Sequence, residues 1–306
     1  MTEPTRPTGP WPARPREGDR EAGGRGAQAP VRRPPGRGRA SRAREAQQAN
    51  GRVPVVDAAG DYASFLIRGA RGMRGVTQYT DEVLRQTALL AAGSLLVIIW
   101  ISFLTGATCG VTGSAISRAI GAGIAGPIFS AFCTTREVVP FIFGFIVAAK
   151  IGGGIVAQLG AMRVAEEVDA MEVMGVSSIT YLVSTRMLAA LLMLPVAYMV
   201  GLGAAQGGAW LASFLRAADV SQGTWEFAFY TAITPIDLVY TLIKGLVLSA
   251  AVISTALYFG YRVRGGPVEV GEATARSMAV NLMTVTILNM VMTFVFWGFN
   301  PNLPVA

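Results

Sequence analysis

Four charged side chains lie within or beside long apolar segments of this sequence: Arg136, Glu137, Lys150 and Lys244. An ionised group in an apolar environment is costly, so such residues usually pair with an opposite charge or face a polar cavity. The carboxylate of Glu137 could pair with Lys244 and hold two helices together. A cation such as Arg136 could instead line a cavity and bind an anionic group. We favour the pair for Glu137 with Lys244 and the cavity for Arg136.

A second group of charges lies in a short segment between two apolar stretches, AMRVAEEVDAMEVMG at residues 161–175. As a helix, this segment places Val164, Val168 and Met171 on one narrow apolar stripe. Four acidic residues cover much of the remaining circumference: Glu166, Glu167, Asp169 and Glu172. Such a helix cannot enter lipid, so it is either a solvated connector or a docking element for a partner. Periodicity alone leaves both interpretations open.

Motifs for enzymatic chemistry are missing from the sequence. It has no histidine, no G-x-x-x-x-G-K-[ST] phosphate-binding loop and no G-x-S-x-G nucleophile turn. We therefore expect no catalysis, no bound metal and no cofactor on this chain. The run Gly152–Gly154 is interpreted as a surface for close helix packing rather than a phosphate site. Cys109 and Cys133 could form a disulfide, although two buried or interfacial thiols are the favoured interpretation.

Membrane-spanning helices must position these residues. Hydrophobic residues make up 52% of the 306 and charged residues only 15%, which is more apolar material than one soluble core can bury. A helix needs about 20 apolar residues to cross a bilayer. Five segments are long enough: Ala88–Thr105, Val138–Leu159, Met187–Ala205, Ile236–Phe259 and Met278–Phe299. The sequence thus predicts an all-α integral membrane protein with a membrane domain at residues 87–300, in which the Gly-rich stretch Gly106–Thr135 is a candidate re-entrant segment.

The positive charge is concentrated near the N-terminus. Residues 1–86 hold 16 of the 26 Lys and Arg but only 9 of the 19 Asp and Glu, so the net charge of +7 belongs to this end. The Pro-, Gly- and Arg-rich residues 1–58 predict a disordered tail, whereas residues 59–86 predict an amphipathic helix in the membrane interface. We expect the tail to be solvated rather than to bind nucleic acid, because aromatic residues are nearly absent from it. The positive-inside tendency places the N-terminus in the cytoplasm, and five spans then place residues 301–306 outside.

Three stretches of the sequence resemble one family of membrane proteins. They are Thr134–Val196, which includes AAKIGGG and the acidic segment followed by YLVSTR, PIDLVYTLIKG at Pro235–Gly245, and GYRVRGGPVEVGEATARS at Gly260–Ser277. This pattern is similar to the MlaE/YrbE family, the permeases of ABC transporters that work with MCE (mammalian cell entry) proteins. The Arg-rich composition and the RGGPVEVG loop are more similar to the actinobacterial YrbE-like members.

The resemblance implies a multi-pass permease of the plasma membrane with an interfacial helix, five spans and no ATPase motif of its own. A separate cytoplasmic ABC ATPase would bind ATP and Mg, extracytoplasmic MCE proteins would exchange lipid with the permease, and a second permease, identical or paralogous, would complete a dimer. The segment from Arg163 to Met174 would be the coupling helix that docks on the ATPase. The candidate residues of the lipid pathway are Arg136, Glu137, Lys150 and Lys244. Lys150 stands where the resemblance leads us to expect Arg, so bidentate anion binding is lost there.

Two other classes of function remain open at this point. A secondary transporter would use intramembrane charges as coupling-ion sites and normally shows internal repeats, which we do not find in this sequence. A non-transporting membrane scaffold would need no cytoplasmic docking helix.

Overall fold

A computed structural model describes residues 54–216 and 221–298 of the chain. Within these ranges there are eight helices and no strands: α1 Pro54–Gly72, α2 Thr80–Ile120, α3 Ala125–Val164, α4 Glu167–Val173, α5 Thr185–Arg216, α6 Gln222–Ala232, α7 Pro235–Tyr261 and α8 Pro267–Trp297. A 3₁₀ turn, Met73–Tyr79, precedes α2, and a π-helical turn, Ile179–Ser184, leads into α5. The predicted all-α class is confirmed. The predictions for the tail before residue 54 and for residues 301–306 lie outside the described residues.

Five of the described helices are long and apolar enough to cross a membrane, namely α2, α3, α5, α7 and α8. Counted with its π turn, α5 has 37 residues; the other four have 41, 40, 27 and 31. Each coincides with one predicted span, so the prediction of five spans is confirmed. Each helix is longer than its predicted span because hydropathy marks only the apolar middle of a helix, whereas helical backbone can continue into polar sequence at both ends.

The prediction of a re-entrant segment at Gly106–Thr135 is wrong. Helix α2 continues to Ile120, the chain turns at Gly121, whose φ of 69° lies in the left-handed region, and α3 follows. The small residues of α2 allow close packing against α5 instead. A Cβ on Gly106 would collide with the carbonyl oxygen of Ala205. Glycine is needed here because only the smallest residues let two helix backbones approach so closely.

The predicted interfacial helix at residues 59–86 is interrupted. Helix α1 begins at Pro54, inside the region predicted as tail, and the turn Met73–Tyr79 separates it from α2. Just before this break, α1 lies directly against the π turn of α5, where the hydroxyl of Ser184 donates to the carbonyl oxygen of Gly69 at 2.8 Å. The interruption therefore follows directly after the point where α1 contacts the π turn that leads into α5.

Helix α1 is amphipathic, as predicted for residues 59–86. Its Phe65 is 3% exposed and contacts the rings of Tyr258 and Tyr261 at the end of α7. Arg68 and Arg71, by contrast, are exposed. One face of α1 is therefore held on the bundle, and its other face carries the cations.

The membrane domain has central and peripheral helices. Phe143 of α3 is fully buried and packs edge-on against Tyr198 of α5, whose hydroxyl hydrogen-bonds with Thr241 of α7. Helices α2 and α8 are peripheral and expose many large apolar side chains, among them Leu89, Leu96, Trp100, Leu104, Met283, Ile287, Met290 and Phe294. Surfaces of this kind suit contact with lipid chains or with another subunit.

Candidate functional site

Two π-helical turns interrupt α3, and they hold three of the four predicted pathway residues. The first turn, Cys133–Val138, contains Arg136 and Glu137, and the second, Val147–Gly152, contains Lys150. A π turn inserts one extra residue into the helix and so changes the direction of the side chains, a feature that is common at functional sites. The two turns therefore set the directions in which these three charged side chains leave α3.

Arg136 is buried in an ion pair, whereas the sequence favoured a position lining a cavity for it, and its role in the lipid pathway stays a prediction. Its side chain is 9% exposed, and its Nη2 lies 3.1 Å from Oδ2 of Asp237 in α7, whose side chain is 1% exposed. The guanidinium carbon also lies 4.1 Å from the centre of the Phe132 ring. A buried guanidinium is tolerated here because a carboxylate and an aromatic face replace water.

Asp237 is the residue that sequence reasoning missed. It accepts hydrogen bonds from the backbone N–H of Thr234 at 3.1 Å, from the Thr234 hydroxyl at 2.7 Å and from Nε1 of Trp297 at 2.7 Å. It therefore caps the start of α7, joins that start to the end of α8 and pairs with Arg136. The signal was present in the sequence, because Thr-Pro-Ile-Asp directly before an apolar run is typical of a capping box.

Lys244 pairs with Glu137, as the sequence indicated. Its Nζ is fully buried and lies 3.2 Å from Oε2 of Glu137, 2.9 Å from the carbonyl oxygen of Arg136 and 2.7 Å from the hydroxyl of Thr293. An ammonium group has three protons to donate, and these three oxygens can accept all of them. We call Arg136, Glu137, Asp237 and Lys244 the charged cluster.

Glu137 is the most accessible member of the charged cluster. Its side chain is 43% exposed, although Thr293 donates to Oε1 at 2.8 Å and the amide of Asn289 donates to Oε2 at 3.4 Å. Both donors belong to α8. The cluster therefore joins α3, α7 and α8 and presents a carboxylate at its open side.

Lys150 lies apart from the charged cluster. It is exposed, and within the described residues it forms no ion pair or hydrogen bond. From Glu137 to Lys150 the helix rises by about 20 Å at 1.5 Å per residue. The structure thus brings together three of the four predicted pathway residues and leaves Lys150 on another part of the surface. A role for Lys150 in the pathway stays a prediction.

The predicted coupling helix is not a continuous helix. Helix α3 ends at Val164, Glu166 has a φ of 59°, and α4 begins only at Glu167 and ends at Val173. A left-handed residue that is not glycine breaks the helical path and redirects the chain. The coupling segment, residues 163–174, is therefore the end of a span followed by a two-turn helix.

This break changes which face of the coupling segment is exposed. Val168 is 1% exposed and the partly buried Met171 packs on the same apolar core, so these two residues of the predicted stripe face the protein itself, whereas Val164 is only partly buried. Val173 and Met174 are 88% and 71% exposed instead. The four acidic residues of the segment, Glu166, Glu167, Asp169 and Glu172, are also exposed. The exposed surface is therefore acidic with two apolar side chains at its end, and the predicted orientation of Val168 and Met171 was wrong.

Arg163 and Tyr261 attach the coupling segment to the end of α7. Nε of Arg163 donates to the carbonyl oxygen of Tyr261 at 3.0 Å, and Nη1 lies 2.8 Å from Oδ1 of Asp169. The hydroxyl of Ser178 donates to Oε1 of Glu172 at 2.6 Å and lies 2.8 Å from the hydroxyl of Tyr261. Helix α7 thus contributes Asp237 and Lys244 of its first ten residues to the charged cluster, and its last residue, Tyr261, contacts the coupling segment.

Cys109 and Cys133 form a disulfide in the structure, with their Cα atoms 6.0 Å apart. This corrects the favoured interpretation of two free thiols. Sequence could not decide between them because the two residues meet only when α2 and α3 pack as an antiparallel pair. The bond fixes α2 to the π turn that carries Arg136 and Glu137.

The sequence matches the family model described as Permease MlaE over residues 83–295. A probable ABC transporter permease protein of Rickettsia bellii is 24% identical over 245 residues, which cover 80% of this chain and 94% of that protein. A probable ABC transporter permease protein of Rickettsia prowazekii is 27% identical over 219 residues, covering 72% and 84%. The chloroplastic protein TRIGALACTOSYLDIACYLGLYCEROL 1 of Arabidopsis thaliana is 29% identical over 189 residues, covering 61% and 52%. Because the family match extends across all five spanning helices, this chain belongs to the MlaE permease family and is a multi-pass membrane transport permease.

Proposed function

We propose that this permease is the membrane subunit of an ABC transporter that moves lipid between the membrane and extracytoplasmic MCE proteins. A separate cytoplasmic ATPase, with its ATP and Mg, supplies the energy, and a second permease subunit completes the membrane part. The Rickettsia relatives, named as ABC transporter permeases, support the ATPase partner. The Arabidopsis relative bears the name of a glycolipid, which supports a lipid cargo.

The observation that carries this proposal is the position of α7 between two specialised sites. At its start, Asp237 and Lys244 belong to the charged cluster, and at its end Tyr261 contacts the coupling segment. A movement of α4 imposed by an ATPase would act through Arg163 on the last turn of α7. A buried helix is stiff enough to carry such a displacement to its other end.

The proposed orientation has α1, α4 and the α7–α8 connection in the cytoplasm, and the charged cluster toward the outside of the plasma membrane. Exposed arginines support it, because positive charge accumulates on the cytoplasmic side. They are Arg68 and Arg71 of α1, Arg262 and Arg264 of the connection, and Arg276 near the start of α8. This orientation places the N-terminus inside and the C-terminus outside.

Reconstitution tests the proposal. The chain is co-expressed with an ABC ATPase, a second permease and MCE proteins from the same source, purified and placed in liposomes that contain a fluorescent lipid. We expect lipid transfer to acceptor MCE protein that requires ATP and Mg and stops when the Walker A lysine of the ATPase is replaced. A complex that assembles and hydrolyses ATP but transfers none of the lipids tested would contradict lipid transport. Failure of the permease to retain any ATPase would contradict the ABC mechanism.

A further inference from the structure

We propose that the lipid handled at the charged cluster has a head group that donates hydrogen bonds and carries no net negative charge, such as a hydroxyl or a primary ammonium. This inference rests on the proposed lipid transport and names the chemical class of its substrate. The recognising group is the carboxylate of Glu137.

The two cations of the charged cluster are already engaged. Lys244 is fully buried and donates to three oxygens, and Arg136, 9% exposed, pairs with Asp237. An incoming phosphate or carboxylate would have to separate one of these buried pairs, and a buried charge that loses its partner is strongly destabilised. The cluster as a whole holds two positive and two negative groups. It therefore offers no excess positive charge that would attract an anion.

Glu137 differs from the two buried cations, because its carboxylate is accessible and can only accept hydrogen bonds. An ionised carboxylate has about four acceptor positions. Three donors occupy positions on it, namely Lys244, Asn289 and Thr293. With the side chain 43% exposed, at least one acceptor position is left for a donor that approaches from the open side. A hydroxyl or an ammonium group satisfies this geometry, and a phosphate without such a donor does not.

The surface beside Glu137 suits the chains of the same lipid. On α8, the polar residues Asn289 and Thr293 that reach Glu137 are followed directly by Met290 and Phe294, which are 62% and 60% exposed. The acceptor is thus next to an exposed apolar helix face. A molecule with a donor head and long acyl chains can use both surfaces at once.

Photocrosslinking of matched lipids tests the inference. The full-length chain is placed in phosphatidylcholine nanodiscs with photoactivatable probes that have identical acyl chains: a diacylglycerol, a phosphatidylethanolamine or a phosphatidic acid. Labelled peptides of α3 and α8 are then quantified by mass spectrometry. We expect the hydroxyl and ammonium probes to label the peptides around Glu137 and Thr293 at least about tenfold more than phosphatidic acid, the ratio that 1.4 kcal/mol corresponds to.

Variants separate charge from hydrogen bonding. Glu137→Gln keeps an acceptor oxygen but loses the charge, so labelling by phosphatidylethanolamine should fall about tenfold, while labelling by diacylglycerol should fall less, because charge-assisted hydrogen bonds are about twice as strong as neutral ones. Glu137→Asp should keep the order of the three probes. Glu226→Gln is the matched control, since Glu226 of α6 contacts Gln222 and is not part of the charged cluster.

The outcomes distinguish this inference from the function on which it rests. Labelling of wild-type protein by phosphatidic acid that equals or exceeds the other two probes would overturn the head-group assignment, whether or not the variants fold. Loss of all labelling in Glu226→Gln as well as in Glu137→Gln would also overturn it, because the effect would not be specific to Glu137. If no probe labels α3 or α8 although the reconstituted complex transfers lipid, the inference is overturned and the proposed function stands, whereas a complex that hydrolyses ATP and transfers no lipid contradicts the function itself.

Discussion

Nη2 of Arg136 lies 3.1 Å from Oδ2 of Asp237, although the two residues are separated by 101 positions in the chain and belong to different spanning helices. The pair is buried, and Trp297 donates to the other oxygen of the same carboxylate. One aspartate therefore holds α3, the start of α7 and the end of α8 together.

The first prediction concerns this aspartate. Asp237→Ala leaves a buried guanidinium without its carboxylate and removes the cap of α7, so it should destabilise the permease by about 3–5 kcal/mol. The measurement is thermal unfolding of the purified protein in detergent. The double variant Arg136→Met with Asp237→Ala should recover part of the loss, because it removes the stranded charge. Equal stability of Asp237→Ala and wild type would show that the pair does not hold the helices.

The second prediction compares two valines of α4. Val173→Asp changes a side chain that is 88% exposed, whereas Val168→Asp places a charge in the core, where Val168 is 1% exposed. We expect Val173→Asp to fold normally and to lower co-purification of the ATPase at least about tenfold, as loss of an interface anchor does. Val168→Asp should reduce the yield of folded permease itself. Full retention of the ATPase by both Val173→Asp and Met174→Asp would show that this end of α4 is not the docking surface.

The acidic residues of the coupling segment lead to a third prediction. Because charges at the edge of an interface mainly affect encounter and salt dependence, Glu167→Lys should weaken ATPase binding and make the binding more sensitive to salt. Co-purification at low and moderate salt measures both effects. If Glu167→Lys loses the same fraction of bound ATPase at both salt concentrations, Glu167 does not attract the ATPase by long-range electrostatics.

The fourth prediction concerns the junction between Arg163 and Tyr261. Arg163→Ala removes the bond to the carbonyl oxygen of Tyr261 and the ion pair with Asp169. The ATPase should still bind and hydrolyse ATP, but less lipid should be transferred for each ATP consumed. Arg276→Ala is the control, since its ion pair with Glu272 is exposed and lies within one helix. An unchanged ratio of transfer to hydrolysis in Arg163→Ala would exclude this junction from coupling.

Close packing between α2 and α5 leads to the fifth prediction. Gly106→Leu should prevent this contact, because even a Cβ there would collide with the carbonyl oxygen of Ala205 in α5. The same substitution at Gly93 should be tolerated, since a Cβ on Gly93 would have no neighbouring atom within 4 Å. Thermal unfolding of the two variants, measured side by side, checks the difference. Similar melting of the two variants would contradict the close approach of the backbones.

Much of the fold could be predicted from sequence because hydropathy is a local property. Each spanning helix is a long apolar run, and a backbone in lipid must be helical or closed in a barrel to satisfy its hydrogen bonds. The pair of Glu137 with Lys244 was also predictable, since two opposite charges in apolar segments have few alternatives. The glycines of α2 were harder to interpret, because the same composition fits a re-entrant loop and a tightly packed helix.

Sequence alone thus determined the all-α class, the five spans, the acidic character of the coupling segment and the family to which the chain belongs. Only the tertiary structure decided which side chains are exposed. Val168 and Met171 turned inward because the helix breaks at Glu166, and Arg136 became buried because Asp237 meets it from another helix. The periodicity of one segment specifies which residues share a face, but the neighbours that pack against the segment decide whether that face meets the core, lipid or a partner.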